Sequence, residues 1–112
     1  VRGNFILESP QYPENYNHLM NCSVRIKAKK EVCYIRLKLI DFILEDSLYC
    51  SQDYLSIENS KGIDESRRMC GQNSGKSLIL KSTSDSNWRF QFRTDHSGAT
   101  RGFHIEVDTI HC

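Results

Sequence analysis

Hydrophobic and polar residues alternate with a period of two along most of this chain. Successive side chains of a β-strand point to opposite faces, so each alternating run predicts a strand with one buried and one solvent-exposed face. The runs cover residues 24–29, 34–39, 88–93 and 103–108, with shorter candidates at 55–57 and 78–80. Turn-forming clusters separate them, and no window keeps a helical period for three turns. This pattern predicts an all-β sandwich of antiparallel sheets, with Trp88, Phe90 and Phe92 in the core.

Length and charge limit the possible function classes. A chain of 112 residues is expected to fold as a single domain, residues 1–112. The formal net charge of +1 gives no global field that would favour nucleic acid or acidic membranes. No apolar run approaches the length of a membrane span, so we expect no membrane insertion. No signal-peptide pattern opens the chain, and we interpret Val1 as the start of an excised module or a mature chain.

Five cysteines in so short a chain favour an oxidising compartment, and therefore a secreted protein or the extracellular part of a larger one. The odd number leaves one thiol free or paired outside this chain. No two cysteines are spaced Cys-x-x-Cys, which argues against a zinc ribbon or thioredoxin-type chemistry. Asn21-Cys22-Ser23 is the single N-glycosylation sequon, so Asn21 is a candidate glycan site.

Three carboxylates on predicted loops are the candidate chemistry of the chain. Glu45 and Asp53 flank Cys50 in one loop, and Asp95 opens a second loop after the aromatic strand. Several oxygen ligands on loops suit a hard cation such as Ca²⁺. The alternative is that these are solvated loop charges, as most loop acids are. A catalytic carboxylate pair lacks an accompanying nucleophile or substrate-orienting motif, so we expect no enzyme activity.

A series of short motifs along the chain resembles the CUB domain family. The motifs occur in the family's order and spacing over nearly the whole chain: Ser9-Pro-x-Tyr-Pro-x-x-Tyr16, Cys22, Asp41-Phe-x-Leu-Glu45, Cys50-x-x-Asp-Tyr-Leu55, Cys70-Gly71, and Asp95-x-Ser followed by Gly102-Phe103. The resemblance implies a jelly-roll-like sandwich of two antiparallel sheets. It also implies an extracellular module that binds partners and catalyses no reaction.

The resemblance further implies a Ca²⁺ site and a partner surface. Calcium-binding members carry three acidic residues, a serine and a backbone carbonyl at positions that match Glu45, Asp53, Asp95, Ser97 and Gly98. Tyr16 matches the residue that supports the site. The implied partner surface consists of Glu45, Asp53, Asp95, His96 and Ser97. A charge on His96 would make partner binding sensitive to pH.

The resemblance also implies a disulfide pattern. The family's motifs around Cys50 and Cys70 are both present, so these two cysteines are expected to pair. Cys33 and Cys112 are additional to the family's pattern. In the family's sheet arrangement their strands run antiparallel, and we expect a second disulfide between them. The family's first cysteine is absent from this chain, so Cys22 is expected to be unpaired or joined to a residue outside it.

Two functions remain open on this basis. The first is calcium-dependent recognition of an extracellular protein, in which the carboxylates receive a lysine side chain, a compact cation with three donors. The alternative is a spermadhesin-like module that binds glycan or heparin without calcium through a basic face. A homo-oligomer is compatible with either function. The residues of the basic face would be Arg25, Lys27, Lys29, Lys30, Arg36 and Lys38.

Overall fold

The alternating runs form the strands of a β-sandwich. The computed structural model describes residues 4–27, 32–59, 62–81, 87–95 and 98–112. A short 3₁₀ turn at Leu48–Cys50 is the one helical element among them, and none of these residues belongs to a helix that could cross a membrane. The strands are β1 (Asn4–Glu8), β2 (Asn21–Lys27), β3 (Val32–Ile43), β4 (Tyr54–Asn59), β5 (Gly62–Met69), β6 (Ser77–Lys81), β7 (Asn87–Arg93) and β8 (Gly102–His111).

The strands form two four-stranded sheets. Sheet one has the order β1-β8-β3-β6, and sheet two has the order β2-β7-β4-β5. Every pair of neighbouring strands is antiparallel. The predicted all-β sandwich of two antiparallel sheets is therefore confirmed.

The core lies between the two sheets. Trp88, Phe90 and Phe92 alternate inward along β7, and each is at most 3% exposed. Ile35 and Leu37 on β3 are fully buried on the facing sheet. Each such side chain contributes about 1.5–3 kcal/mol when it is removed from water. This apolar layer gives the loops at the ends of the sandwich a rigid base.

Two strands and one residue differ from the expected pattern. The alternation does not predict β1, in which Ile6 stands in an apolar run yet is 57% exposed. It also misses β5, which is mostly polar and pairs only with β4 at the edge of sheet two. The alternation at residues 24–29 predicts that Val24 faces the core, but Val24 is 42% exposed, because β2 is an edge strand with a neighbouring strand on one side only. Ala28 and Lys29 of the same run lie outside the described residues.

Four of the connections between the sheets converge at one end of the sandwich. Ile43 at the end of β3 pairs with Gly102 at the start of β8, and Tyr54 at the start of β4 pairs with Arg93 at the end of β7. The registers of the other strand pairs place their connections at the same end, as the pairing of Glu8 with His104 shows. We call this region the loop end; its described residues are 9–20, 44–53, 70–76, 94–95 and 98–101.

The structure contains a disulfide at each end of the sandwich. Cys50 and Cys70 are joined at the loop end, with their Cα atoms 5.5 Å apart. Cys33 and Cys112 are joined at the opposite end, with their Cα atoms 5.2 Å apart, where the start of β3 meets the end of β8. Cys22 is a free, half-buried thiol on β2.

A polar network around Asp41 holds three loops to the end of β3. The Arg101 guanidinium donates to the two Asp41 carboxylate oxygens at 2.5 and 2.8 Å. The Tyr12 hydroxyl donates to Asp41 Oδ2 at 2.8 Å, and the Ser74 hydroxyl donates to Asp41 Oδ1 at 3.1 Å. The hydrogen bond from Arg101, supported by those from Tyr12 and Ser74, lowers the pKa of Asp41 to about 2.

The Asp41 network should make stability depend on pH in the acid range. The folded pKa lies below the unfolded value, so the ionised carboxylate stabilises the fold above about pH 4, and this stabilisation is lost as the pH falls toward 2. Asp41→Asn should lower the free energy of unfolding at pH 7 by about 1–3 kcal/mol. It should also flatten the decline between pH 4 and 2. Urea unfolding at several pH values, in the presence of EDTA, measures the free energy of unfolding of both proteins. The same change in this free energy between pH 4 and 2 in wild type and variant would contradict the assignment.

Candidate metal centre

The three predicted carboxylates meet at the loop end. Glu45 lies two residues after β3, Asp53 directly before β4, and Asp95 two residues after β7. One carboxylate oxygen of each residue lies within 4.8 Å of those of the other two. Two oxygens that share a Ca²⁺ ion can be no further apart than about twice the bond length of 2.3–2.6 Å, or roughly 5 Å. The spacing therefore fits three ligands of a single ion, and we call these three residues the acidic centre.

Asp53 is the fully buried member of the acidic centre, whereas Glu45 and Asp95 are half-buried. Asp53 Oδ2 accepts a hydrogen bond from the Tyr16 hydroxyl at 2.5 Å, and Oδ1 accepts one from the Asp95 backbone N–H at 2.8 Å. A buried carboxylate needs such donors, because an uncompensated charge in the interior is strongly destabilising. One side chain thus connects the β1–β2, β3–β4 and β7–β8 loops.

Tyr16 is positioned by the core and by the backbone of the loop end. The residue is 2% exposed, and its ring packs edge-to-face on Phe92 with the ring centroids 5.1 Å apart. Its N–H donates to the Thr100 C=O at 3.1 Å, and its hydroxyl oxygen accepts the Glu45 N–H at 3.4 Å. Burial, together with the hydrogen bond to Asp53, raises the pKa of Tyr16 to about 12. The hydroxyl therefore stays protonated and donates to Asp53 at physiological pH.

The acidic centre concentrates negative charge in a partly buried place. Burial raises the pKa of the Asp53 carboxyl above its usual range, and the neighbouring Asp95 carboxylate raises it further. The hydrogen bonds from the Tyr16 hydroxyl and the Asp95 N–H act in the opposite direction, because they favour the ionised form. A cation among these oxygens would also favour the ionised form and offset the repulsion between the carboxylates.

A second set of contacts, which the sequence pattern does not reveal, fixes the Asp95 loop. The hydroxyl of buried Thr94 accepts the Met20 N–H at 2.7 Å and donates to the Asn17 C=O at 2.9 Å. The Leu19 N–H donates to the Asp95 C=O at 2.9 Å. The partners of Thr94 are 74 and 77 residues away in the sequence, so local patterns carry no signal for them.

Gly98 leaves room for one of the carboxylates. Its φ of +80° lies in the left-handed region that favours glycine. A Cβ atom at this position would overlap the carboxylate of Glu45. The resemblance assigns Gly98 a role through its carbonyl, and the structure adds a separate reason for glycine there, namely the space that Glu45 occupies.

The other predicted site residues lie away from the acidic centre or outside the described residues. His96 and Ser97 belong to the latter group, so their roles stay predictions. Asn21 is exposed at the start of β2, and its Oδ1 atom accepts a hydrogen bond from Gln91 Nε2 at 2.8 Å. Its glycosylation also stays a prediction.

The predicted basic face is divided between the two sheets. Arg25 and Lys27 lie on β2 of sheet two, whereas Arg36 and Lys38 lie on β3 of sheet one. Asp108 pairs with both of the latter, at 2.7 Å from Arg36 Nη2 and 3.9 Å from Lys38 Nζ. The described basic residues therefore do not form one continuous face. Outside the described residues are Lys29 and Lys30.

Comparisons with known proteins identify the family. The family model of the CUB domain matches residues 2–107, and the chain belongs to the CUB domain family. It is 31% identical over 104 residues to blastula protease 10 of Paracentrotus lividus and 34% identical over 102 residues to cubilin of Sus scrofa. These matches cover 91% and 89% of this chain but only 17% and 3% of the two relatives. The chain thus corresponds to a small part of each.

A solved structure extends the comparison to the site. The crystal structure of the MASP-1 CUB2 domain bound to Ca²⁺ matches with a TM-score of 0.76 and 26% sequence identity, covering 96% of this chain and 93% of that one. That neighbour holds the ion to which the donor set of the acidic centre is suited. Membership of the family makes this chain a protein-interaction module and confirms that it is non-catalytic.

Gly98→Ala should weaken calcium binding without unfolding the sandwich. The added methyl group would displace the Glu45 carboxylate and would also strain the backbone. Gly75→Ala is the matched control, because Gly75 has a similar φ of +85° but nothing lies within 4 Å of its added Cβ. Both variants should lose roughly 1–2 kcal/mol of stability from strain. Only Gly98→Ala should lose most of the calcium-induced rise in melting temperature; an equal rise in both variants would contradict the proposed contact.

Proposed function

We propose that this chain is an extracellular module that recognises a partner protein in a calcium-dependent manner. The observation that carries the proposal is the acidic centre, in which carboxylates from two separate loops lie within 4.8 Å of one another. Bound there, Ca²⁺ would supply a divalent charge that links the β3–β4 and β7–β8 loops. The likeness to a CUB domain whose structure contains this ion supports the assignment.

The ligands in this proposal are the carboxylates of Glu45, Asp53 and Asp95, with Ser97 and the Gly98 carbonyl as further oxygen donors. Tyr16 orients the buried carboxylate. The donor set consists of oxygens alone, as a hard cation prefers. The absence of a side chain at Gly98 leaves space for the Glu45 carboxylate beside the other two. An extracellular location is supported by the two disulfides, which persist in oxidising compartments.

The proposed partner group is a lysine ammonium. Three carboxylates carry one more negative charge than a divalent ion neutralises, so the acidic centre keeps an attraction for a cation. Glu45 and Asp95 are half-buried and thus partly open to a partner, whereas Asp53 is enclosed. A compact ammonium with three donors can approach several carboxylate oxygens at once. One such contact is modest, so strong binding would come from several modules acting together.

The glycan-binding alternative has weaker support from the arrangement of charges. Its described basic residues are split between two sheets, and Asp108 pairs with two of them. A sulfated glycan binds best to a continuous positive surface.

Calcium should raise the melting temperature of this domain, and Asp95 should be needed for the effect. Calcium at about 100 times its dissociation constant adds roughly 2.7 kcal/mol to stability, which is a rise of about 10 °C for a domain of this size. Asp95→Ala should lose most of this rise but keep its fold, because the Asp95 N–H that donates to Asp53 belongs to the backbone. Thermal unfolding with and without calcium measures the difference.

The control for this experiment is Asp46→Ala. Asp46 is an exposed acid beside Glu45 that does not belong to the acidic centre. The control variant should keep the wild-type rise in melting temperature. A full calcium effect in Asp95→Ala would remove that residue from the site.

Binding to lysine should require calcium and the acidic centre. The probe is a synthetic peptide with a single lysine, immobilised densely on a sensor surface, next to the same peptide with acetyl-lysine. The wild-type domain should bind only the unmodified peptide, because acetylation removes the cation. EDTA and Asp95→Ala should each abolish the signal.

Lys27→Ala combined with Lys38→Ala is the matched variant for the alternative function, since it removes charges from both sheets and leaves the loop end intact. It should bind the lysine peptide like wild type. The glycan function would instead be favoured if the wild-type domain is retained on a heparin column and the variant is not. That retention should be unaffected by EDTA and weakened by salt.

A further inference from the structure

Three apolar side chains of the loop end are unusually exposed. Leu19 is 77%, Leu48 is 78% and Tyr49 is 87% exposed, the highest values for large apolar side chains among the described residues. Other exposed ones, such as Ile6 and Ile79, are 57% and 60% exposed and lie on strands of sheet one. Single exposed apolar residues are ordinary, but a group of three on the loops that form one site calls for a physical reason.

Leu19 lies on the β1–β2 loop, whereas Leu48 and Tyr49 lie on the β3–β4 loop, which supplies two carboxylates of the acidic centre. The Leu19 N–H donates to the C=O of Asp95 at 2.9 Å, so this residue is held beside that carboxylate's loop. Leu48 and Tyr49 belong to the turn that connects the other two carboxylates along the chain. The turn is fixed by the disulfide at the next residue, Cys50. The three positions are therefore held by defined contacts to the rest of the fold.

The backbone at two of these positions is strained. Leu19 has a φ of +55° and Tyr49 a φ of +57°, in the left-handed region that large L-residues rarely adopt. Glycine or asparagine would fit this conformation better. Neither side chain belongs to the core, so the stability of the fold gives no reason for an apolar residue there. Gln11 and Cys50 also have a positive φ, and strain at exposed apolar positions of the loop end supports a role in binding.

We propose that Leu19, Leu48 and Tyr49 form an apolar rim that contacts the residues on either side of the partner's lysine. The partner of this module is thus a protein segment in which a lysine is flanked by apolar side chains. The inference rests on the proposed function, because charge complementarity with the acidic centre is what selects the lysine. The rim would contact the methylene stem of the lysine and the partner residues on either side of it. Tyrosine is enriched at protein–protein interfaces, which agrees with this role for Tyr49.

The test compares two immobilised peptides of equal length and charge. In one a central lysine is flanked by leucines, and in the other it is flanked by serines. In calcium, the wild-type domain should bind the leucine-flanked peptide about tenfold more tightly, which is the effect of a few well-placed apolar contacts. EDTA should abolish binding to both peptides.

Variants of the rim separate recognition from folding. Leu19→Asn and Tyr49→Gly place residues that suit the left-handed backbone, so the combined variant should melt at the wild-type temperature or higher and keep its calcium-induced rise. Its preference for the leucine-flanked peptide should fall below about twofold. Ile79→Ser is the matched control, since it removes a similarly exposed apolar side chain from β6. The control should keep the tenfold preference.

The outcomes distinguish the two proposals. No calcium-dependent binding to either peptide would overturn the proposed function, and the rim proposal with it. Calcium-dependent binding to both peptides with equal affinity would overturn the rim alone. A preference that persists unchanged in the Leu19→Asn, Tyr49→Gly variant would also overturn the rim.

Discussion

The buried carboxylate of Asp53 is the interaction on which the loop end depends. Removing such an ion from water costs several kcal/mol unless hydrogen bonds compensate for the lost hydration. Both of its oxygens are compensated, one by the Tyr16 hydroxyl and the other by the Asp95 N–H. These donors come from two other loops, so burying Asp53 requires both loops to be in place. The geometry of the acidic centre therefore depends on all three loops, which Asp53 joins through its two carboxylate oxygens.

The sandwich makes this joining possible because its antiparallel registers bring distant loops to one end. The β3–β4 and β7–β8 loops are far apart in sequence. The pairing of Ile43 with Gly102 and of Tyr54 with Arg93 places the ends of these two loops next to each other. The β1–β2 loop is fixed to the core because Tyr16 packs directly on Phe92, and the Tyr16 hydroxyl in turn orders Asp53 of the β3–β4 loop. A rigid base of this kind reduces the entropy that ligand binding would otherwise lose.

The sequence predicted the parts of this structure that have a local signal. Strands that face the core on one side show the period of two, as β7 does with Trp88, Phe90 and Phe92. β1 and β5 lack that period, since β1 is a short apolar run with the buried Leu7 next to the exposed Ile6, and β5 is mostly polar in sequence. The carboxylates were visible as loop acids, but the partners of Thr94 and Asp41 were not, because those contacts join residues far apart in sequence.

The shared use of the carboxylates has a thermodynamic consequence for the proposed function. Glu45 and Asp95 would hold the cation and also face the partner's lysine, so the two binding events would act on the same charges. Calcium would hold these carboxylates in place, and any factor by which it tightens lysine binding must equal the factor by which lysine tightens calcium binding. Two opposing terms determine the size of this coupling. Ordering of the loops by the ion strengthens it, whereas repulsion between the ion and the ammonium weakens it. Lysine binding that requires calcium, as proposed, therefore needs the ordering of Glu45 and Asp95 by the ion to outweigh that repulsion.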